Sequence, residues 1–194
     1  IANAAAIEIV RIDSEDILAP AEAARRLAGV DGLLIPGGFG YRGIEGKVNA
    51  LRYARENKLP ALGLCLGMQC MVIEYSRNVL RLKGANSTEF NPDTRHPVID
   101  LQEAQKGVSL KGGTMRLGSY LCRLERGSRL AKIYRRSEAV ERHRHRYELN
   151  PAYRKPLADR GLSVPAISVE KGLAESVEVS SHPFYIGVQY HPEF

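Results

Sequence analysis

Cys65 stands between two glycines in the stretch GLCLG, residues 63–67, at the end of an apolar run. A cysteine used only for packing needs no glycine two places away on either side. A cysteine pushed out of a sharp strand-to-helix turn does need them, because Gly63 and Gly67 remove the Cβ atoms that the turn would crowd. The pattern is G-x-S-x-G with sulfur in place of oxygen, which presents a nucleophile at the top of a sheet. A helix starting at residue 66 would bring partial positive charge to the sulfur, favouring thiolate over the ordinary thiol pKa of about 8.5. The amide of Leu66 would be free to donate to an oxyanion. Taken alone, the stretch serves equally as a packed cysteine ahead of a helix.

Two further stretches bear on that choice. YHPEF, residues 190–194, follows the apolar run YIGVQ. In extended chain, His191 and Glu193 point to the same side, and Pro192 between them disfavours helix. A histidine oriented by a carboxylate is the base half of a nucleophilic triad. PGGFG, residues 36–40, offers backbone that can approach a substrate closely, so a second oxyanion donor near Gly38 or Phe39 is expected. Each of these alone reads as a surface turn; all three together point to covalent catalysis by Cys65.

The elements that must hold these residues follow from periodicity. Residues 7–12, 31–40 and 59–65 read as strands, the second running into the glycine-rich loop, and 19–29, 44–58 and 66–80 as helices. Strand–helix alternation argues for a parallel sheet covered by helices, an α/β sandwich. Further on, 114–124, 138–148, 162–169, 175–180 and 185–190 read mainly as strands, with a short helix over 151–160 and a long loop over 85–97.

Composition bounds the rest. With 194 residues, 44% of them hydrophobic and 26% charged, one globular domain is the default. No apolar stretch reaches the roughly 20 residues of a membrane span, and no signal peptide is evident. Three cysteines without CxxC or Cys/His spacing suggest neither a disulfide framework nor zinc, and fit a reducing cytosol. The net charge of +6 is compatible with nucleic acid or with anionic small molecules. ERHRHRYE, residues 141–148, would put Arg142, Arg144 and Arg146 on one strand face and His143, His145 and Tyr147 on the other. One basic strand without aromatic platforms is weak support for nucleic-acid binding.

Taken together, Cys65, His191, Glu193 and the 36–40 loop resemble the triad-type class I glutamine amidotransferases. Within that family, PGGFGYRGIEGK, GLCLGMQ, ANSTEF, GGTMRLG, ERHRHRYELN and YHPEF resemble the glutaminase domains of CTP synthases. The resemblance implies a three-layer α/β sandwich with a mainly parallel central sheet and an antiparallel strand region. It implies that Cys65 attacks the side-chain amide of glutamine, His191 relays protons and Glu193 orients His191, with the amides of Gly38 and Leu66 as oxyanion hole. Glutamine would lie along Gly38, Leu66, Gly67, Met68, Gln69, Glu89 and Arg146. The ammonia would serve amination of UTP to CTP in an N-terminal synthase domain of the same polypeptide, using ATP and magnesium there. This chain carries no G-x-x-x-x-G-K-[ST]. No metal or cofactor is expected in the glutaminase domain itself. GTP would activate through the lid GGTMRLG, with Arg116 as its contact, and the full enzyme would be a cytoplasmic homotetramer. No nucleic-acid or membrane partner is implied. Against the family pattern, residues 1–194 read as a single glutaminase domain shortened at both ends. Amidotransferases of other synthases, such as that for GMP, and a non-catalytic domain of the same fold are the alternatives.

Overall fold

Apolar β-branched and leucine runs form a mixed central sheet in a computed structural model that describes residues 4–101 and 115–194. Its seven strands are β1 (Leu33–Ile35), β2 (Ala61–Leu64), β5 (Arg116–Leu124), β6 (Glu138–His145), β8 (Leu162–Ser168), β9 (Ala174–Val179) and β10 (Tyr185–Val188). Their order across the sheet is β1-β2-β10-β9-β8-β5-β6. β1, β2 and β10 run parallel, and every pairing from β10 to β6 is antiparallel. A parallel portion and an antiparallel region thus share one sheet, as expected.

Alternation along β2 and β10 builds two cores. Ala61 and Tyr185 face helices α2 (Ile44–Glu56), α3 (Leu66–Asn78) and α5 (Pro151–Ala158), whereas Leu64, Ile186 and Val188 face α4 (Arg129–Tyr134). A smaller cluster packs α1 (Pro20–Arg26) onto α2. These are the three layers of the sandwich. Gly63 and Gly187, paired across β2 and β10, face α3, and a Cβ on Gly187 would lie 2.9 Å from Met68 Cβ. α3 therefore lies unusually close to the sheet, which is why every residue from Leu66 to Ser76 is buried rather than one face alone. Within it Glu74, fully buried, is held by the Arg55 guanidinium of α2 at 2.8–3.1 Å.

A second sheet arises where the sequence suggests only a loop. β3 (Asn86–Ser87), β4 (Pro97–Asp100) and β7 (Glu148–Leu149) pair in the order β3-β4-β7. β4 therefore ties residues near 88 to residues near 147. Residues 7–12, expected as a strand, pair with no strand among the described residues and leave Ile7 and Ile9 exposed. No helix among the described residues is long and apolar enough to cross a membrane.

Candidate active site

Cys65 occupies the sharp turn between β2 and α3. Its φ is +50° and ψ −101°, outside the relaxed regions for a non-glycine residue, and its amide donates to the Val188 carbonyl at 2.7 Å. The flanking glycines are required by contact. A Cβ on Gly63 would lie 2.6 Å from the Gly67 carbonyl carbon, and one on Gly67 would lie 2.3 Å from the Ile35 oxygen. The bond to Val188 also ties the turn to the end of β10, the strand that leads into His191.

His191 and Glu193 pair as expected, with Nδ1 and Oε1 2.8 Å apart, but the reason differs. Residues 191–194 form a turn closed by the Phe194 amide on the His191 carbonyl, so turn geometry rather than strand alternation brings them together. The His191 amide donates to the Arg142 carbonyl of β6 at 2.8 Å, fixing the backbone under the ring. Gly37 measures how near the ring comes to the cysteine. A Cβ there would be 2.7 Å from His191 Cε1 and 3.7 Å from Cys65 Cβ. His191 Nε2 is buried and makes no hydrogen bond among the described residues, leaving it available to a thiol proton.

A cavity of about 90 Å³ opens beside the sulfur, lined by Gly38, Phe39, Cys65, Gln69, Glu89, Met115, His145, Arg146 and Tyr147. The small sheet explains how Glu89 and Arg146 meet there: Glu89 follows β3, Arg146 precedes β7, and both strands pair with β4. Glu89 also accepts from the Gly40 amide at 3.1 Å, tying the 36–40 loop to the cavity wall.

Several expected contacts are placed differently. Met68 is fully buried in the core and Gly67 packs on the Ile35 carbonyl, so neither presents a side chain to the cavity. The alternation in ERHRHRYE holds through His145, with Arg142 and Arg144 exposed and His143 and His145 buried. It breaks where β6 ends, so that Arg146 and Tyr147 line the same cavity. Burial, leaving Cys65 only 3% exposed, pushes its thiol up to about 12 against the lowering by the Leu66 amide. The helix terminus alone therefore does not favour the thiolate, contrary to expectation, because desolvation outweighs it.

Arg116, expected on an exposed lid, is instead buried at the start of β5 and ion-paired with Glu175, with Glu148 3.6 Å away. Its charge is committed inside the protein and does not face an incoming anion. Residues 112–114 of the expected lid lie outside the described residues. Around Arg116 lie His143 and His145, their Nδ1 and Nε2 atoms 2.9 Å apart, which composition and spacing had not singled out as functional. Cys122, His143 and Glu175 bring ligand-type atoms within 4.8 Å of one another. The guanidinium already held by Glu175 makes that cluster a poor host for a cation.

The fold and these motifs agree with known proteins. The model for "Glutamine amidotransferase class-I" matches residues 2–194. The chain belongs to the class I glutamine amidotransferase family. Curated CTP synthases match over much or all of it: 56% identity over 87% of the chain for Caldanaerobacter subterraneus, and 51% over 100% for Clostridium acetobutylicum. These matches cover 31% and 36% of the relatives, so the chain spans about a third of their length. The glutaminase domain of Trypanosoma brucei CTPS with bound acivicin is 42% identical with a TM-score of 0.92, covering all of this chain and 75% of that one. A GMP synthase-type protein of Thermoplasma acidophilum is 18% identical with a TM-score of 0.58, covering 89% of this chain and 68% of that one, which is likeness of fold alone. The resemblance to the CTP synthase glutaminase domain is therefore borne out.

Proposed function

We propose that this amidotransferase chain hydrolyses glutamine to glutamate and ammonia through a thioester on Cys65, and that the ammonia serves amination of UTP to CTP. The observation that carries the reading is the convergence of the strained Cys65 turn and the His191–Glu193 pair on Gly37. In the first step His191 Nε2 takes the thiol proton while the sulfur attacks the amide carbon of glutamine. Glu193, on Nδ1, holds the ring and stabilises the imidazolium. The amides of Gly38 and Leu66 receive the developing oxyanion. His191 then returns the proton to the leaving nitrogen, ammonia departs, and a γ-glutamyl thioester remains. Water, deprotonated by the same histidine, releases glutamate and the thiol. Glu89 suits the substrate's α-ammonium and Arg146 its α-carboxylate, both through charge-assisted hydrogen bonds.

The coverage of about a third of the CTP synthases supports a synthase domain in the same polypeptide, and with that reading we propose ATP and magnesium in the synthase domain, GTP as activator, a homotetramer and a cytoplasmic location. Arg116 is set aside as the GTP contact because of its burial.

The test is Cys65→Ala in the full-length protein. Glutamate release and glutamine-dependent CTP formation should fall to background, as should labelling by a glutamine-shaped electrophile. CTP formation from added ammonia should persist. Loss of both ammonia- and glutamine-supported synthesis in a folded variant would overturn the division of labour.

A further inference from the structure

Two buried carboxamides that the mechanism above does not use lie beside the nucleophile, and one of them, Gln69, lines the cavity. Gln189 follows β10, is fully buried, and places Nε2 3.7 Å from Cys65 Sγ, within hydrogen-bonding reach of a sulfur. Gln69, on the first turn of α3, is 3% exposed. Its Nε2 lies 3.1 Å from the Tyr147 carbonyl and 3.3 Å from Gln189 Oε1.

Which end of a carboxamide points where is decided by its partners. A backbone carbonyl only accepts, so the end of Gln69 that faces Tyr147 must be its NH2. The second hydrogen of that NH2 then needs an acceptor, which fixes Oε1 of Gln189 as its neighbour. Gln189 is left with its own NH2 directed at the sulfur. The Gln69 NH2 therefore donates to both the Tyr147 carbonyl and Gln189 Oε1, and the Gln189 NH2 donates to Cys65 Sγ. The Gln189 amide is anchored at the Glu175 carbonyl, 2.8 Å away, so the side chain has a fixed root. Both N–H groups of Gln69 are committed, leaving only its Oε1 for a ligand.

We propose that Gln189 is a further catalytic residue, donating an N–H to the Cys65 sulfur so that it can carry negative charge, and that Gln69 is the positioning residue that sets this orientation. The inference rests on the glutaminase reading for its purpose but not for its test. No bond to Gln189 forms or breaks; the thiol proton goes to His191 Nε2, and the carboxamide solvates the anion that remains. In a buried site with few other donors, one such hydrogen bond has large leverage on the thiolate.

The test reads the thiol directly, without glutamine. The rate of Cys65 alkylation by iodoacetamide, followed by mass spectrometry as a function of pH, is compared among the unaltered protein, Gln189→Leu, Gln189→Glu and Gln69→Leu. Both Gln189 variants should move the profile upward, with about tenfold less reactive thiolate at a fixed pH. Gln69→Leu, which frees Gln189 to turn over, should give a smaller shift in the same direction. Where glutamine turnover is measured, kcat should fall and KM stay close to its starting value. Because either Gln189 variant could fail to fold, a second measurement uses the unaltered protein. The side-chain NH2 resonance of Gln189 should follow the Cys65 titration and lose that response in Cys65→Ala. An unmoved alkylation profile, or a Gln189 resonance indifferent to Cys65, would overturn the proposal. A shifted profile in a protein that releases no glutamate would sustain it and overturn the glutaminase reading instead.

Discussion

A methyl group on Gly37 would press on the His191 ring at 2.7 Å while barely touching Cys65. Gly37→Ala should therefore turn the imidazole away from the sulfur and lower kcat by about 100-fold, the scale of a 1 Å misplacement of a reacting group. Since none of residues 36–40 is buried, the urea midpoint should hardly move. Undiminished turnover would show that the ring position fixed by Gly37 does not limit the reaction. The residues at this scale were the most legible in the sequence. Cys65 with its glycines, and His191 with Glu193, announce themselves because the turns they occupy tolerate few other residues. Arg116 was not legible: glycines on either side of GGTMRLG suggest an open loop, and nothing local reveals Glu175, which is 59 positions away. Gln189 and Gln69 gave no sign as a pair for the same reason, being 120 positions apart.

At the scale of elements, α3 against the sheet is the contact on which the nucleophile depends. Gly67→Ala would drive a Cβ to within 2.3 Å of the Ile35 oxygen, and neither α3 nor β1 can move without disturbing β2. Overpacking at such a fixed position should cost about 3 kcal/mol, seen as a lowered denaturation midpoint together with lost activity. A variant as stable as the original would mean that α3 rides less firmly on the sheet than its burial implies. Elements with strong periodicity, such as α2 and α3, were readable, whereas those made by distant pairing were not. β3 and β4 lie in a stretch rich in Asn, Asp, Thr and Pro, and become strands because β7 arrives to pair with β4. α4 was missed because its six residues are too few for a helical repeat, although Ser128 marks its start by accepting from the Ala131 amide at 3.1 Å. Residues 7–12 have a strand's composition, but a strand also needs a neighbour, and none of the described residues supplies one.

For the molecule as a whole, the buried cluster behind the cavity sets a pH dependence of stability. Burial pushes His143 down to about 2 and His145 down to about 3, from an ordinary 6.5. The unfolded chain therefore takes up protons below 6.5 that the folded chain refuses, and this stability is lost as pH falls from 6.5 towards 3. Burial pushes Glu148 the other way, from 4.5 up to about 8, so the folded chain keeps a proton that the unfolded chain sheds. That contribution is present below 4.5 and is lost as pH rises through 8. Between 4.5 and 6.5 the two histidines are opposed by Glu148 and by Glu175, which burial also raises, so the optimum from this cluster lies within that window. Urea midpoints across pH 4–9 should peak there, and Glu148→Gln should flatten the alkaline side. A midpoint that climbed steadily to pH 9 would contradict the assignment of these charges.

β10 has one more consequence, and it concerns the order in which the chain is made. It is the last strand in sequence yet lies in the middle of the sheet, between β2 and β9. Until residues 185–188 leave the ribosome, the parallel portion and the antiparallel region have no shared edge and cannot join. Gln189, His191 and Glu193 come directly after it. A nascent chain therefore carries its cysteine through the 125 residues that separate Cys65 from His191 with no base to activate it, and acquires the reactive thiol only once β10 has joined the two parts of the sheet.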